Sequence, residues 1–304
     1  MKKFITTVLS FAFVYTAIAQ QDPQFSQNMH NKLYPNPAYA GNSDAFCIGL
    51  LYRAQWTSFD GAPQTGVLSL DGPIRSINSG IGLTVMTDKL GFEKTLQAKL
   101  AYSYHFNIGA TSKLAIGIDL GFLQKELKGD WIANDPNDPT IPYGGEKGST
   151  IPDIGAGLYF NNDNLYIGVS GSHLGEPKID LSTVQYKYAR HYYGMIGYKF
   201  DLSPSLALTP SIFGKYDGTT FQSDFNATLH INDKIWVGAS YRLEDAIVFM
   251  AGFKILQNLK VGYSYDYNTS DLNKYSNGSH EIFLGYCFNP PKKVNYRIKN
   301  VRYL

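Results

Sequence analysis

From about residue 45 onward, apolar and polar side chains alternate one by one. In residues 221–230, Phe221, Phe225, Ala227 and Leu229 share one face, and Gln222, Asp224, Asn226, Thr228 and His230 share the other. Residues 96–106 repeat this, with Leu96, Leu100, Tyr102, Tyr104 and Phe106 opposed to Gln97, Lys99, Ser103 and His105. So do residues 259–267, where Tyr263, Tyr265 and Tyr267 oppose Gly262, Ser264 and Asp266. A period of two is the signature of a strand with unlike faces, and helix-period stretches are absent. The alternation predicts about fourteen strands of the length that crosses a bilayer. They fall near 46–54, 65–71, 79–87, 94–106, 113–124, 152–160, 164–171, 190–200, 204–214, 220–230, 234–243, 246–254, 258–267 and 280–288.

The connections sort by parity. After even-numbered strands come short turns such as 107–112, 161–164, 201–204, 231–234 and 256–258, whereas the long connections, about 125–151, 172–189 and 268–279, follow odd-numbered ones. Short periplasmic turns and long outer loops alternate in this way in outer-membrane barrels. A soluble sandwich has no reason to segregate loop length, so a secreted soluble β-protein is the weaker alternative. The short connection at Asp245 falls on the outer side and departs from the rule. The faces agree: one carries Leu, Ile, Val, Tyr and Phe, and the other Gly82, Gly117, Gly168, Gly238, Gly252, Gly262 and Gly285 with Asp119, Lys199, Arg242 and Lys254. The expectation is an all-β chain, a transmembrane antiparallel up-and-down barrel of about fourteen strands, apolar outside and polar within. Closure removes the open edges that lipid does not tolerate.

Composition sharpens this picture at a few points. The 304 residues include Tyr 23, Phe 18 and Gly 29, which suit an aromatic lipid-facing surface and a closely packed inner face. A mean hydropathy of -0.21 excludes a multi-helix membrane protein and averages over an apolar exterior, a polar lumen and hydrophilic loops. A net charge of +2 offers no reason to expect a nucleic-acid partner. Lys2 and Lys3 precede an apolar run ending in Ala17-Ile18-Ala19, which reads as a signal peptide over residues 1–19. The expected organisation then continues with a periplasmic N-terminal segment or plug at 20–45, the outer-membrane barrel at 46–289 and a basic periplasmic tail at 290–304. Pro35 and Pro37 exclude regular helix in the N-terminal segment.

Signals for catalysis are lacking. There is no G-x-S-x-G elbow, P-loop or H-E-x-x-H. His105 and His230 read as luminal polar residues, so no catalytic residue, metal ligand or cofactor is expected; a Ser-His hydrolase would have to be recognised in space. Loop 130–139 is rich in oxygen ligands but lacks the spacing of a calcium loop. Cys47 opens the first strand and Cys287 closes the last, so in a closed even-stranded barrel the two should approach across the seam, bonded or not. Luminal charges of both signs suit pairing across a filled barrel better than a selective pore, though a wide channel stays open.

Two segments carry a resemblance. Asp22-Pro23-Gln24-Phe25-Ser26-Gln27 is followed by Asn36-Pro37-Ala38-Tyr39-Ala40-Gly41, and Arg53-Ala54-Gln55-Trp56 by Gly61-Ala62-Pro63-Gln64-Thr65. Together they resemble the PorP/SprF family of type IX secretion outer-membrane proteins, as does the basic, aromatic tail 295–304. The resemblance implies a non-enzymatic barrel in the Gram-negative outer membrane. It also implies partners: a secretion cargo or adhesin C-terminal domain, other type IX components, and the lipid bilayer, with links to gliding motility. The candidate partner-binding residues are Arg53, Gln55, Trp56 and Phe59 around the first outer loop and Trp131 and Tyr143 in the long one. Trp56 has a second reading as an interfacial anchor. The alternative function is a porin or small-solute transporter.

Overall fold

The computed structural model describes residues 22–128, 146–148, 150–180 and 185–289. Fourteen antiparallel strands close into a barrel. In chain order they are β1 Phe46–Ala54, β2 Gln64–Ile74, β3 Ser79–Leu90, β4 Glu93–Ile108, β5 Ser112–Leu127, β6 Ile151–Asn161 and β7 Leu165–Ser172, followed by β8 His191–Tyr198, β9 Leu206–Tyr216, β10 Phe221–Ile231, β11 Ile235–Arg242, β12 Ala246–Leu256, β13 Leu259–Asn268 and β14 Ser279–Phe288. Each strand pairs with the next, and β1 closes on β14 in a continuous register from Phe46↔Phe288 to Ala54↔His280. Period-two patterning therefore located every barrel strand, with ends shifted by a few residues.

One strand differs in kind. The expected strand over 190–200 breaks: β8 stops at Tyr198, and Phe200–Ser203 forms a separate piece on β9 with a register shift. Two short strands, Lys178–Asp180 and Gln185–Lys187, make a ribbon in the connection after β7. At the loop end β4 and β5, each of 16 residues, are the longest strands.

Side-chain direction follows the alternation. Leu100, Ile118, Leu120, Phe221, Phe249 and Ile282 stand exposed on the outer wall, where lipid replaces water as solvent. Luminal positions are buried, among them Arg53, Lys99, Asp119, Asp224, Arg242, Asp266 and Glu281.

What buries them is the N-terminal segment. Residues 22–41 run along the lumen from the loop end, where Asp22 meets His173 and His191, to the short-turn end, where Gly41 meets Gly72 and Gly80. The path is irregular: a 3-10 turn at Asn28–His30 and another at Pro37–Tyr39. Pro37 is tolerated because it opens its turn, where its missing N–H is not needed. Asn36 caps that turn by accepting from the Ala38 N–H at 3.0 Å. Small wall residues admit the chain: a Cβ on Gly117 would lie 2.3 Å from the Ala38 nitrogen, and one on Gly80 would lie 2.1 Å from the Ala40 oxygen. Apolar clusters form where segment meets wall, as in Phe25 and Tyr34 with Leu51, Val67 and Met86, and Ala38 with Ala115, Tyr159 and Met195; another joins Leu123 of the wall to Ile179 and Tyr188 in the connection after β7.

Candidate functional site

The densest chemistry of the described residues lies between this segment and the wall. Near the loop end two luminal arginines share the carboxylates of β10, β13 and β14. Arg53 meets Asp266 at 2.8 Å and Glu281 at 3.3 Å, and Arg242 meets Asp224 at 3.0 Å and Asp266 at 2.9 Å. Ser26 sits at their junction: its hydroxyl accepts from Arg53 at 2.8 Å and Arg242 at 3.0 Å and donates to Asp266 at 2.7 Å. Glu281 clasps the chain itself, its two oxygens accepting the consecutive N–H groups of Ser26 and Gln27 at 2.8 Å each. Gln24 and Asn28 both donate to Asp224. Buried charges are tolerable only when paired and hydrogen-bonded, and here the segment supplies part of that satisfaction.

A second cluster holds the beginning of the segment. His173 lies between two carboxylates, Nε2 at 3.0 Å from Asp22 and Nδ1 at 2.9 Å from Asp153. Lys99 continues the chain of charges to Asp153 at 3.1 Å and Asp119 at 3.8 Å. Lys215 donates to the Asp22 carbonyl, and Tyr193 to its carboxylate. Burial works against the charged form of Asp22, but His191 and His173 beside it hold its carboxyl well below the usual range. Burial likewise works against His173, yet Asp22 and Asp153 push it up to about 9.

Toward the short-turn end the environment is aromatic and basic. Lys32 lies 3.4 Å from the Tyr166 ring centroid, with the rings of Tyr39 and Tyr159 also near. Burial, then the neighbouring Lys260, pushes its ammonium down to about 7. His30 stacks on Phe283 at 5.0 Å and leans on Trp236, and burial lowers it to about 3. Main-chain contacts finish the docking: Asn36 donates to the Leu158 carbonyl, Ser103 to Ala40, Ser170 to Pro35, and the Gly41 N–H to Asp71.

The residues singled out from sequence fall in three places. Arg53 faces inward and holds the protein's own Ser26, and its Nε lies 3.4 Å from the Gln55 side-chain oxygen. Trp56 and Phe59 belong to the outer connection between β1 and β2, Trp56 partly buried and Phe59 exposed. That connection is braced on both sides, by Thr57 and Asn277 near β14 and by the Gly91 N–H donating to Gly61 at the β3–β4 turn. Trp131 and Tyr143, with loop 130–139, lie outside the described residues, as do residues 1–21 and 290–304. Cys47 and Cys287 are register partners across the closing seam and form a disulfide, with a Cα separation of 4.1 Å.

Sequence reasoning marked the luminal charges of Arg53, Arg242, Lys99, Asp119, Asp224 and Asp266 but passed over Glu281, Asp153, His173 and His191. Glu281 and Asp153 were legible in principle as lone acids at inward parity. The two histidines flank a long loop and carried no local pattern.

Residues 17–286 match the family model described as type IX secretion system membrane protein PorP/SprF. Among solved structures, the CymD monoaromatic hydrocarbon channel aligns at a TM-score of 0.51 and 11% identity, covering 88% of this chain and 94% of that one. The Ralstonia pickettii toluene transporter TbuX aligns at 0.50 and 10%, covering 84% and 92%. Identities this low speak for the shared barrel alone. No curated protein matches.

Proposed function

The chain belongs to the PorP/SprF family of type IX secretion system membrane proteins, and from that premise we propose that this outer-membrane barrel works by binding: it supports the secretion or surface attachment of a cargo such as an adhesin with a C-terminal targeting domain. The observation that carries this reading is the occupied lumen. Residues 22–41 touch the wall from β1 round to β14, at Arg53, Asp71, Ser103, Leu158, Ser170, His191, Asp224, Asp266 and Glu281. A barrel so filled offers surfaces rather than a path. The competing reading, a porin or small-solute transporter, needs the space this segment takes.

Two surfaces serve such a role. On the outer side, the braced connection 55–63 presents Phe59 to solvent as an apolar contact for cargo. On the periplasmic side, Lys254 and Lys260 face each other directly across β12 and β13, a like-charge pairing that costs stability in isolation. In sequence, residues 290–304 carry Lys292, Lys293, Arg297, Lys299 and Arg302 without an acid. These basic residues suit an acidic segment of a periplasmic secretion component. The test is deletion of the gene followed by an inventory of proteins on the cell surface and in the medium. Loss of type IX cargo is expected, one adhesin alone for a dedicated partner and all cargo for a general component; an unchanged inventory would overturn the reading.

A further inference from the structure

At the loop end of the lumen, Asp22, His173 and His191 each turn one ligand-capable atom toward a common point. These atoms lie within 4.8 Å of one another and all three residues are buried. We propose that the three residues form a binding site for a divalent transition metal of the zinc class, which fastens the N-terminal segment to the barrel wall.

The outer hydrogen bonds carry the argument. His173 Nδ1 is engaged by the Asp153 carboxylate at 2.9 Å, and His191 Nδ1 by the Ala189 carbonyl at 3.0 Å. These bonds orient both rings and commit their Nδ1–H groups outward. Both Nε2 atoms then face Asp22: His173 Nε2 stands 3.0 Å from its Oδ1, and His191 Nε2 accepts its backbone N–H at 3.1 Å. A metal-binding histidine nearly always donates its other ring N–H to a carboxylate or a main-chain carbonyl, and both partners occur here. Tyr193 donates to the remaining Asp22 oxygen and fixes the carboxylate. Two imidazole nitrogens and one carboxylate oxygen are a common zinc ligand set, with a fourth position left for water.

The proton balance is simple. The ion takes the place of the proton shared between His173 Nε2 and Asp22, that proton passes to solvent, and His173 stays hydrogen-bonded to Asp153 through Nδ1. His191 gives its Nε2 lone pair to the ion in place of the Asp22 N–H. The site joins the segment, which takes no part in the barrel ladder, to the ladder end where His191 of β8 pairs with Ser172 of β7, next to His173, so filling it ties the segment to two neighbouring wall strands.

The test uses tag-free full-length mature protein in detergent, stripped of metal and titrated with cobalt(II). One equivalent should bind and develop the visible absorption of four-coordinate cobalt, and one equivalent of zinc should abolish it. Asp153→Asn, which leaves all three ligands in place, should weaken cobalt binding about 10- to 100-fold. His191→Gln should abolish the spectrum. Folding of each variant is checked by its heat-dependent mobility on a gel, which the barrel alone controls. Failure of the folded wild-type protein to bind cobalt would overturn the proposal and leave His173 as an imidazolium bridging two acids. Equal binding by wild type and His191→Gln would place the metal elsewhere and overturn it as well.

Discussion

At the residue scale, the lumen gives like side chains different surroundings. Arg53 is held by Asp266, Glu281 and Ser26, whereas Lys32 meets tyrosine faces and another lysine. Removing Arg53 takes the guanidinium partner from buried Glu281 and leaves Asp266 with Arg242 alone. Arg53→Ala should cost about 3–5 kcal/mol, as breaking a buried ion pair does, read from the shift in urea unfolding monitored by tryptophan fluorescence. Lys32 yields a pH effect of definite sign. Its folded value is about 7 against an ordinary 10.5. Between these values the unfolded chain binds more protons, so stability should rise with pH across that window. Lys32→Met should flatten that rise, measured as unfolding midpoints in a pH series from 6 to 11; an unchanged slope would show that Lys32 does not titrate there.

At the element scale, the N-terminal segment behaves as an inserted strip, not as a strand. It has no ladder and relies on wall side chains for its main-chain partners, notably Glu281, Asp71, Ser103 and Ser170. Wall glycines make the insertion sterically feasible. On Gly117 a side chain would begin 2.3 Å from the Ala38 nitrogen and 2.4 Å from its Cα, both backbone atoms that cannot swing away. Gly117→Val should therefore displace the segment while leaving the barrel closed. The expected readout is protease cleavage within 22–41 in folded, detergent-solubilised protein, where the wild type resists. The barrel strands were legible in sequence because each presents one face to lipid and one to a polar interior, which imposes strict alternation. The segment was legible only as an irregular, proline-containing stretch, since nothing periodic holds it.

At the scale of the whole molecule, fold and occupancy separate. The barrel aligns with channels for monoaromatic hydrocarbons and toluene, yet its lumen carries its own chain. In planar bilayers the full-length protein should show little conductance, and a variant lacking residues 22–41 should conduct. High conductance by the intact protein would favour a porin and count against a binding role.

The alternation of residues by itself determined the strands and their inward and outward faces, because both are local consequences of period two, and the parity of short turns and long loops added the membrane as solvent. The motif residues from Asp22 to Gln27 were also visible there, but as a resemblance without a stated job. Only the tertiary structure decided what they touch. Ser26 and Glu281 are 255 positions apart, and Asp22 and His173 are 151 apart. Closure of the barrel sets these contacts through register and shear, which no local pattern encodes, and the same closure brings Cys47 to Cys287 at the seam.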